Sequence, residues 1–264
     1  MAVIYTLVNQ KGGVGKTTTT ISLAANLALK GLRVLLVDLD PQANATSSLS
    51  IDKYSIDAGT YEVLVTNASI RESILVHPDY KISILPSSPA LAGAEIELIT
   101  IDRREFRLKE VLSSVSSQYD YILIDCPPSL SLLTVNGLVA AKDGVIIPVQ
   151  CEYLALEGLG QLLETINQVR AGLFPDLKIR GVLMTMYDGR TRLANDVVVE
   201  VRKHFPYRVF NTLIPRNIRL AEAPSFGMPI TAFSPDSLGA KAYEMLAAEI
   251  IKQDTPRINQ EGAA

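Results

Sequence analysis

The segment of this 264-residue chain that most restricts its fold is QKGGVGKT, residues 10–17, set between a predicted strand and a predicted helix. Residues 2–9 are apolar and rich in β-branched side chains, as in a strand buried on both faces. Residues 17–30 carry apolar side chains at helical spacing, and Gly31 follows them as at many helix ends. The intervening glycines let backbone amides face an anion without an obstructing Cβ. The pattern predicts a phosphate-binding loop.

The lysine and threonine of this segment predict what it binds. The usual pattern is G-x-x-x-x-G-K-[ST]; here Gln10 replaces the first glycine and Lys11 adds a cation. Lys16 is expected to reach the β- and γ-phosphates of ATP, and the Thr17 hydroxyl to bind Mg²⁺. The nucleotide-binding residues expected here are Lys11, Gly12, Gly13, Val14, Gly15, Lys16, Thr17 and Thr18. A solvated glycine turn is the alternative.

Acidic residues close two further predicted strands. Asp125 ends the run YILID, and Asp38 and Asp40 end VLLVDLD. Ligands of parallel sheets bind at the carboxyl edge, so Asp125 is expected to bind Mg²⁺ through water, with Asp38 as a further candidate. The alternatives are a helix cap or turn before Pro127 and a turn before Pro41.

Strand-like and helix-like segments alternate along the chain. The other strand candidates are residues 32–40, 81–86, 119–127, 144–150, 179–187 and 207–215. Helix-length segments include residues 154–171, 191–205 and 238–253. This alternation predicts an α/β fold with a doubly wound, mostly parallel twisted sheet and helices on both faces. We expect one domain over residues 1–254 and a disordered polar tail over residues 255–264.

Composition narrows the class of protein. Hydrophobic residues make up 48% and charged residues 20%, as in soluble globular proteins. No leader-like segment follows Met1, and no apolar run approaches the roughly 18 residues that span a bilayer. The two cysteines, Cys126 and Cys151, are too few for a disulfide framework. We expect a cytoplasmic protein.

Six segments carry a family resemblance: KGGVGKTT, VDLDPQANAT, DYILIDCPPSLSLLTVN, PVQCEYLALEGL, MTMYDGRT and IPRNIRLAEAPSFG. Together and in this order they resemble the ParA/Soj chromosome-partitioning ATPases. These belong to the deviant Walker A group of P-loop NTPases, with MinD and the nitrogenase iron protein. YDGRT and IPRNIRLAEAPS are similar to the Soj-like branch in particular.

The resemblance implies an activity and its partners. The chain would be a slow ATPase, stimulated by a DNA-binding activator of the ParB/Spo0J type. ATP binding would close a homodimer that binds double-stranded DNA without sequence preference, and hydrolysis would release it. Such a protein would associate with the nucleoid.

The resemblance also implies roles for single residues. Lys11 would act across the dimer interface on the partner's nucleotide, as an arginine finger does. Asp40 would orient the attacking water, which makes Lys11, Lys16 and Asp40 the expected catalytic residues. The positions that match family contacts to adenine are Pro215 and Asn217, and those that match contacts to DNA are Arg190 and Arg219.

The charge distribution supports DNA binding independently. Residues 178–219 contain nine Lys and Arg against three Asp and Glu, a net charge of +6 in a chain whose net charge is −3. Such a basic region is typical of proteins that bind the phosphate backbone. No helix-turn-helix, zinc-finger or aromatic RNA-binding motif is present, so sequence-specific recognition is not expected. A solvated helix face over residues 191–205 is the alternative.

Two other functions remain open. An iron–sulfur reductase would hold a cluster with cysteines from two subunits, but Cys126 and Cys151 adjoin apolar strands, where free cysteine usually packs as a small hydrophobe. A MinD-like membrane-cycling ATPase would need a basic amphipathic C-terminal helix. Residues 238–253 balance two Glu against two Lys, so we expect no membrane binding. The apolar residues expected to pack on the sheet are Leu238, Ala242, Met245, Leu246 and Ile250.

Overall fold

The first structural unit is the predicted strand, loop and helix. The computed structural model describes residues 1–261 and the side chains of residues 1–255. Strand β1 (Val3–Leu7) is buried along its whole length, and helix α1 (Lys16–Leu29) begins directly after Gly15. Gly31 follows with a φ of 83°, a left-handed conformation that glycine adopts without a steric penalty.

The sheet confirms the predicted fold class. Within the described residues its strands are β1, β2 (Val34–Asp38), β3 (Leu75–Val76), β4 (Ile82–Leu85), β5 (Tyr121–Asp125), β6 (Gly144–Gln150) and β7 (Ile179–Thr185). Their spatial order is β3-β4-β2-β5-β1-β6-β7. Neighbouring strands are parallel except β3 and β4. Because β1 lies between β5 and β6, the winding reverses at its carboxyl end, where such sheets bind ligands.

The remaining helices lie between and after the strands. They are α2 (Asn44–Ser47), α3 (Ile70–Ser73), α4 (Leu91–Glu97), α5 (Arg107–Ser113), α6 (Leu132–Ala140), α7 (Ala155–Gly172), α8 (Arg192–His204), α9 (Ile218–Glu222), α10 (Ile230–Phe233) and α11 (Leu238–Glu261). Short 3₁₀ turns occur at Leu98–Thr100, Arg104–Phe106, Ser116–Gln118 and Ala223–Phe226, and a π-helical turn at Glu62–Thr66.

Helices cover both faces of the sheet because side chains alternate along each strand. Tyr5 and Leu7 of β1 pack in one hydrophobic cluster with residues of α1 and α11. Ile4 points the other way, into a cluster with residues of α4, α5 and α6. A third cluster joins β6 and β7 to α7 and α8. The sheet is therefore buried on both faces, as the apolar strands predict.

One predicted strand is wrong. Residues 207–215 lie beside β7 but, among the described residues, form only isolated bridges: Val209 with Val182 of β7, and Pro215 with Tyr187 just after it. Between the bridges, the amides of Asn211 and Thr212 donate instead to the carboxylate of Glu249 on α11, each at 3.0 Å. The apolar pattern is that of a strand, and a distant carboxylate takes the hydrogen bonds that a strand would need.

The C-terminal helix departs from prediction in its length. It runs to Glu261, whereas the sequence predicts residues 238–253, so the predicted tail begins inside α11. The last part of that tail, residues 262–264, lies outside the described residues. That residues 1–254 form one domain and that the tail is disordered stay predictions.

The packing of α11 also departs from prediction in part. Ala242, Leu246 and Ile250 are buried, as expected, but Leu238 and Met245 are 70% and 62% exposed. Tyr243 and Ala247 occupy the buried face instead. Periodicity located this face correctly and assigned two residues at its border to the wrong side.

Candidate nucleotide site

The glycine-rich loop has the backbone that an anion site needs. Gly13 and Gly15 have φ values of 74° and 88°, which side-chain-bearing residues rarely adopt. The Lys11 amide donates to the Asn9 side chain at 3.0 Å, which fixes the start of the turn. Within the described chain, no side chain caps the N-terminus of α1. Its first amides therefore remain available to a phosphate.

The predicted magnesium ligands meet at the start of α1. The Thr17 hydroxyl donates to Asp125 at 2.6 Å, and the Thr20 hydroxyl donates to the other carboxylate oxygen at 3.0 Å. Hydroxyl and carboxylate oxygens are the donors that Mg²⁺ prefers, so this set fits a hydrated ion between Thr17 and Asp125. Lys16 is buried at the same site, and its ammonium donates to the Lys11 carbonyl at 3.1 Å.

Asp38 is buried and has its hydrogen bonds within the protein. One carboxylate oxygen accepts from the amide and hydroxyl of Thr46, at 2.8 and 2.7 Å, and the other from the Asp40 amide at 3.2 Å. These bonds shape the loop that carries Asp40, which lines the phosphate side of the cavity described below. The geometry therefore favours a positioning role for Asp38, and its role as a metal ligand stays a prediction.

Burial governs the electrostatics of this end of the sheet. Desolvation, and next the charge of Asp38, raise the pKa of Asp125 to about 7, and desolvation raises the pKa of Asp38 to about 6. Desolvation also lowers the pKa of the Lys16 ammonium, despite the nearby carboxylate of Asp125. Removal from water penalises the charge on each group more than the opposite charges compensate. A divalent cation beside Asp125 would lower that carboxyl's pKa again.

Two adjoining cavities fit a nucleotide. The first, about 360 Å³, is lined by residues that include Gly12, Gly13, Gly15, Lys16, Thr17, Thr18 and Asp40. The second, about 380 Å³, is largely apolar, with Ile214, Pro215, Asn217, Leu220 and Tyr243 in its wall. Gly15, Thr18 and Met186 line both. The structure thus brings the predicted phosphate-binding and base-contacting residues together, at one continuous site.

Lys11 and Val14 occupy different positions from the other loop residues. Val14 is buried, and its carbonyl accepts a hydrogen bond from the Thr185 hydroxyl at 2.8 Å. The Lys11 side chain is 50% exposed and pairs with Glu152 at 2.8 Å, outside the phosphate cavity. A lysine that acts on a second protomer's nucleotide has to point outward in this way.

The two arginines predicted to contact DNA lie on the surface at the same edge. Arg190 follows β7 and makes a two-bond ion pair with Asp188, at 2.7 and 2.8 Å, and Arg219 pairs with Glu222 at 2.8 Å. Hydrogen bonds from Arg190 lower the pKa of Asp188 to about 2. The Arg216 amide donates to the Tyr187 carbonyl at 2.9 Å, which brings the two arginine-bearing segments side by side.

Arg180 does not belong to the basic surface. It is one of the nine basic residues in 178–219, but it is 9% exposed and pairs with buried Asp254 at 2.9 Å. A charge count along the sequence could not detect this burial.

The iron–sulfur alternative depends on the two cysteines, and the membrane alternative depends on the hydropathy of the helices. Cys126 and Cys151 are both buried, and desolvation raises the pKa of each thiol, that of Cys151 to about 11. Among the described residues, no group of three or more His, Cys, Asp or Glu is arranged to hold a metal. No helix in the described part of the chain has the length and hydropathy to cross a bilayer.

Sequence reasoning missed several residues of the site. Thr20 was detectable, because it lies three positions after Thr17 on the helix and so on the same face. Thr185, Met186 and Tyr243 line the base cavity. The roles of Thr185 and Tyr243 depend on packing between distant elements and left no local signal.

Known proteins match both the chain and its fold. A family model described as an AAA domain matches residues 1–179. Chromosome partitioning protein ParA of Myxococcus xanthus is 52% identical, over 96% of this chain and 89% of its own length. Sporulation initiation inhibitor protein Soj of Bacillus subtilis is 53% identical, over 95% and 98% of the two chains.

Solved structures agree. A Mycobacterium smegmatis protein, described as cobyrinic acid a,c-diamide synthase with bound ADP and magnesium, has a TM-score of 0.84 and 40% identity, over 96% of this chain and 95% of that one. A putative plasmid partition protein from Borrelia burgdorferi, bound to AMPPNP, has a TM-score of 0.81 and 28% identity, over 96% and 100%. The chain therefore belongs to the ParA/Soj family of partitioning ATPases, which confirms the predicted resemblance.

Proposed function

We propose that this protein is an ATP-dependent DNA-partitioning ATPase. Mg²⁺-ATP binds in the joined cavities and closes a dimer of two copies. The dimer binds double-stranded DNA without sequence preference, and hydrolysis to ADP and phosphate releases it. The observation that carries the proposal is the union, at one sheet edge, of the phosphate loop, the Thr17–Asp125 pair and the apolar base cavity.

The ligands of similar structures support ATP and Mg²⁺. The Mycobacterium smegmatis structure holds ADP with magnesium and the Borrelia burgdorferi structure holds an ATP analogue. The name of the former states a synthase, whereas the relatives above 50% identity include ParA of Myxococcus xanthus and Soj of Bacillus subtilis, and we base the proposal on this more similar pair.

Each residue of the site then has a chemical task. Lys16 and the amides of α1 hold the phosphates, and Thr17 with Asp125 hold the hydrated Mg²⁺, which offsets charge that develops on the phosphates. Asp40 lies on the phosphate side of the cavity, where a carboxylate can orient water. Lys11 acts from the second copy, so hydrolysis is slow until the dimer is complete.

The surface arrangement supports the DNA step. Arg190 and Arg219 lie on adjacent segments at the nucleotide edge, and a dimer closed through its nucleotides doubles their number on one surface. A ParB/Spo0J-type activator, and association with the nucleoid inside the cytoplasm, complete the proposal by family analogy.

The decisive experiment measures DNA affinity in three nucleotide states. Fluorescence anisotropy of two unrelated labelled duplexes is recorded without nucleotide, with Mg²⁺-ADP and with Mg²⁺-ATP. We expect binding with ATP, equal for both sequences, and much weaker binding otherwise. Lys16→Ala should lose the ATP response, whereas Lys30→Ala, an exposed lysine at the other end of α1, should keep it. Binding that ignores the nucleotide would contradict the proposal.

A further inference from the structure

Met186 lies where the phosphate and base cavities meet. Three residues line both cavities, namely Gly15, Thr18 and Met186. The first two belong to the phosphate loop and α1, but Met186 comes from the other side of the site, directly after β7. A nucleotide that fills both cavities therefore contacts this side chain.

The backbone of Met186 is held in an unusual conformation. Its φ is 51°, in the left-handed region that residues with a side chain rarely occupy, and its side chain is partly buried. Such conformations persist where the surroundings impose them, and they gather at binding sites and switches. An alternative backbone state at this residue is therefore accessible if a ligand changes its surroundings.

The residues on both sides of Met186 are fixed. Thr185 donates through its hydroxyl to the Val14 carbonyl of the phosphate loop, at 2.8 Å. Tyr187 is bound to the base-side segment, since its amide donates to Ile214 at 3.0 Å and its carbonyl accepts from Arg216 at 2.9 Å. A change in the backbone conformation of Met186 would therefore strain the contact of Thr185 with the phosphate loop or the contacts of Tyr187 with the base-side segment.

Beyond Tyr187 the connection reaches Arg190. The Tyr187 hydroxyl donates to Asn195 on α8 at 2.7 Å, and the Asn195 amide group donates to the Gly189 carbonyl at 3.2 Å. Asp188 accepts from the Arg190 amide at 3.1 Å as well as from its guanidinium. Residues 187–191 thus form a compact turn, joined to Met186 at one end and to α8 at the other.

We propose that Met186 is the positioning residue that transmits nucleotide occupancy to the 187–191 turn, and so sets how Arg190 is presented to DNA. The DNA part of this inference rests on the proposed function, but the coupling between the cavity and the turn does not. Met186 lines both the base cavity and the phosphate cavity, so any nucleotide that fills the two, ADP included, occupies the space beside it. It therefore reports that a nucleotide is bound, and ADP suffices to show the effect.

The experiment compares hydrogen exchange of the 187–191 amides without nucleotide and at saturating Mg²⁺-ADP, with saturation established separately for each variant. Met186→Gly accepts the same backbone conformation and deletes the side chain that contacts the nucleotide. Met186→Leu restores the bulk. Met245→Ala removes an exposed methionine on α11, remote from both cavities, and is the matched control.

In the unmodified protein, ADP should slow exchange in this turn by about fivefold or more, the lower end of usual couplings between sites. The slowing should disappear in Met186→Gly, return in Met186→Leu and persist in Met245→Ala. The inference is overturned if ADP leaves the turn unchanged in the unmodified protein, or if Met186→Gly retains the full response.

The two proposals fail in different ways. If the unmodified protein shows no ATP-dependent DNA binding while the exchange pattern is as expected, the DNA function is wrong and the coupling stands. If ATP-dependent DNA binding is present but ADP does not slow exchange in the turn, or slows it equally in Met186→Gly, the coupling is wrong and the DNA function stands.

Discussion

Charged groups are buried at both ends of the sheet, and the two ends differ in how the protein's own residues compensate those charges. Near the amino ends of β5 and β7, Asp254 accepts hydrogen bonds from Tyr5 at 2.8 Å, Tyr121 at 3.0 Å and Arg180 at 2.9 Å. The carboxylate and the guanidinium balance each other, and both tyrosine hydroxyls are used. At the carboxyl ends, the described buried charges are three carboxylates and one ammonium: Asp38, Asp40, Asp125 and Lys16.

This difference separates a structural site from a binding site. The Asp254 group is closed by its own partners, and desolvation raises the pKa of Tyr5 and Tyr121, so both stay neutral. At the nucleotide end, burial raises the pKa of Asp125 and lowers that of Lys16, so the protein's own residues do not fully stabilise the charged form of either group. Clusters of perturbed groups in a cleft are typical of functional sites, where a ligand supplies the missing charge.

Stability should change most at the end of the sheet that holds Asp254, which we call the closed end. Asp254→Ala leaves the buried Arg180 guanidinium without its partner, and breaking such a pair costs about 3–5 kcal/mol. Urea unfolding of the nucleotide-free protein measures this loss. Asp236→Ala, at an exposed position just before α11, is the control and should change stability little. A loss below about 1 kcal/mol for Asp254→Ala would show that the group is not the anchor of α11.

At the nucleotide end, which we call the open end, Lys16→Ala should have the opposite effect: it should change stability little and ATP affinity strongly. The buried ammonium is penalised by desolvation, so its removal should leave the stability of the nucleotide-free protein unchanged or slightly higher. ATP affinity should fall about 100-fold or more, because this cation is the one placed against the phosphates. Calorimetric titration measures the affinity, with Lys30→Ala as the control. Normal ATP affinity in Lys16→Ala would refute the site.

These two ends also differ in how far the sequence predicts them. At the open end the phosphate loop and the aspartates were located from the sequence, because their signals are local: glycines and a lysine between a strand and a helix, and aspartates at strand ends. The closed end was not predicted. Arg180 and Asp254 are far apart in the chain, and nothing near either residue indicates that they meet.

The same limit explains the other differences. Residues 207–215 have the composition of a strand, yet Glu249 takes the amides that a strand would pair. The position of Asp38 was predicted, but not that Thr46 would occupy one of its oxygens. Local pattern indicates which element a residue favours. The partner of a buried polar group is decided by tertiary packing, which one sequence does not display.

Lys11 and Asp40 separate binding from turnover within the open end. Lys11→Ala should bind ATP but fail to dimerise, because in the proposed function its ammonium acts on the second copy's phosphates. Its exposed pair with Glu152 is of the kind that contributes little, about 0–1 kcal/mol, so it does not prevent this exchange of partners. Asp40→Ala should form the dimer and retain it, because water orientation is lost while the binding contacts remain.

Sedimentation with Mg²⁺-ATP tests both roles in one experiment. Glu152→Gln is the matched variant and should still dimerise. It removes the negative charge that pairs with Lys11 and keeps the shape of the glutamate side chain. A dimeric Lys11→Ala would contradict the proposed role of Lys11, and a monomeric Asp40→Ala that of Asp40.

The titration of Asp125 should make the open end dependent on pH. The pKa of Asp125 is about 7 in the fold against an ordinary 3.8, so the folded chain holds this proton more tightly than the unfolded chain. This group's contribution to stability is therefore greatest below pH 3.8 and is lost as the pH rises to about 7. Mg²⁺ needs the carboxylate, so its affinity should fall about tenfold for each pH unit below 7.

Titration of the ADP complex with Mg²⁺ between pH 6 and pH 8 measures this effect. Phosphate groups titrate in the same range, with a pKa of about 6, so the comparison with Asp125→Asn isolates the carboxyl's share. That variant should bind Mg²⁺ weakly and with a flatter pH profile. An identical profile in both proteins would place the metal elsewhere.

The smallest effect concerns the exposed charges at the rim of the open end. Arg190 and Arg219 pair with Asp188 and Glu222 on the surface, where ion pairs are weak and DNA phosphates can replace the carboxylates. Each phosphate contact should contribute roughly 0.9 to the magnitude of the log–log salt slope of DNA binding. The double variant Arg190→Glu, Arg219→Glu should therefore weaken binding to all sequences alike and flatten the slope, while ATP binding and dimerisation persist. Arg103→Glu reverses the charge of an arginine that is 70% exposed and likewise paired with a carboxylate, Glu110, so it shows the effect of one such reversal elsewhere on the surface. DNA affinity at several salt concentrations, with ATP and on two unrelated duplexes, is the measurement. An unchanged slope would remove these arginines from the DNA surface, and a loss confined to one duplex would mean that base edges are read after all, because contacts to the backbone alone cannot distinguish sequences.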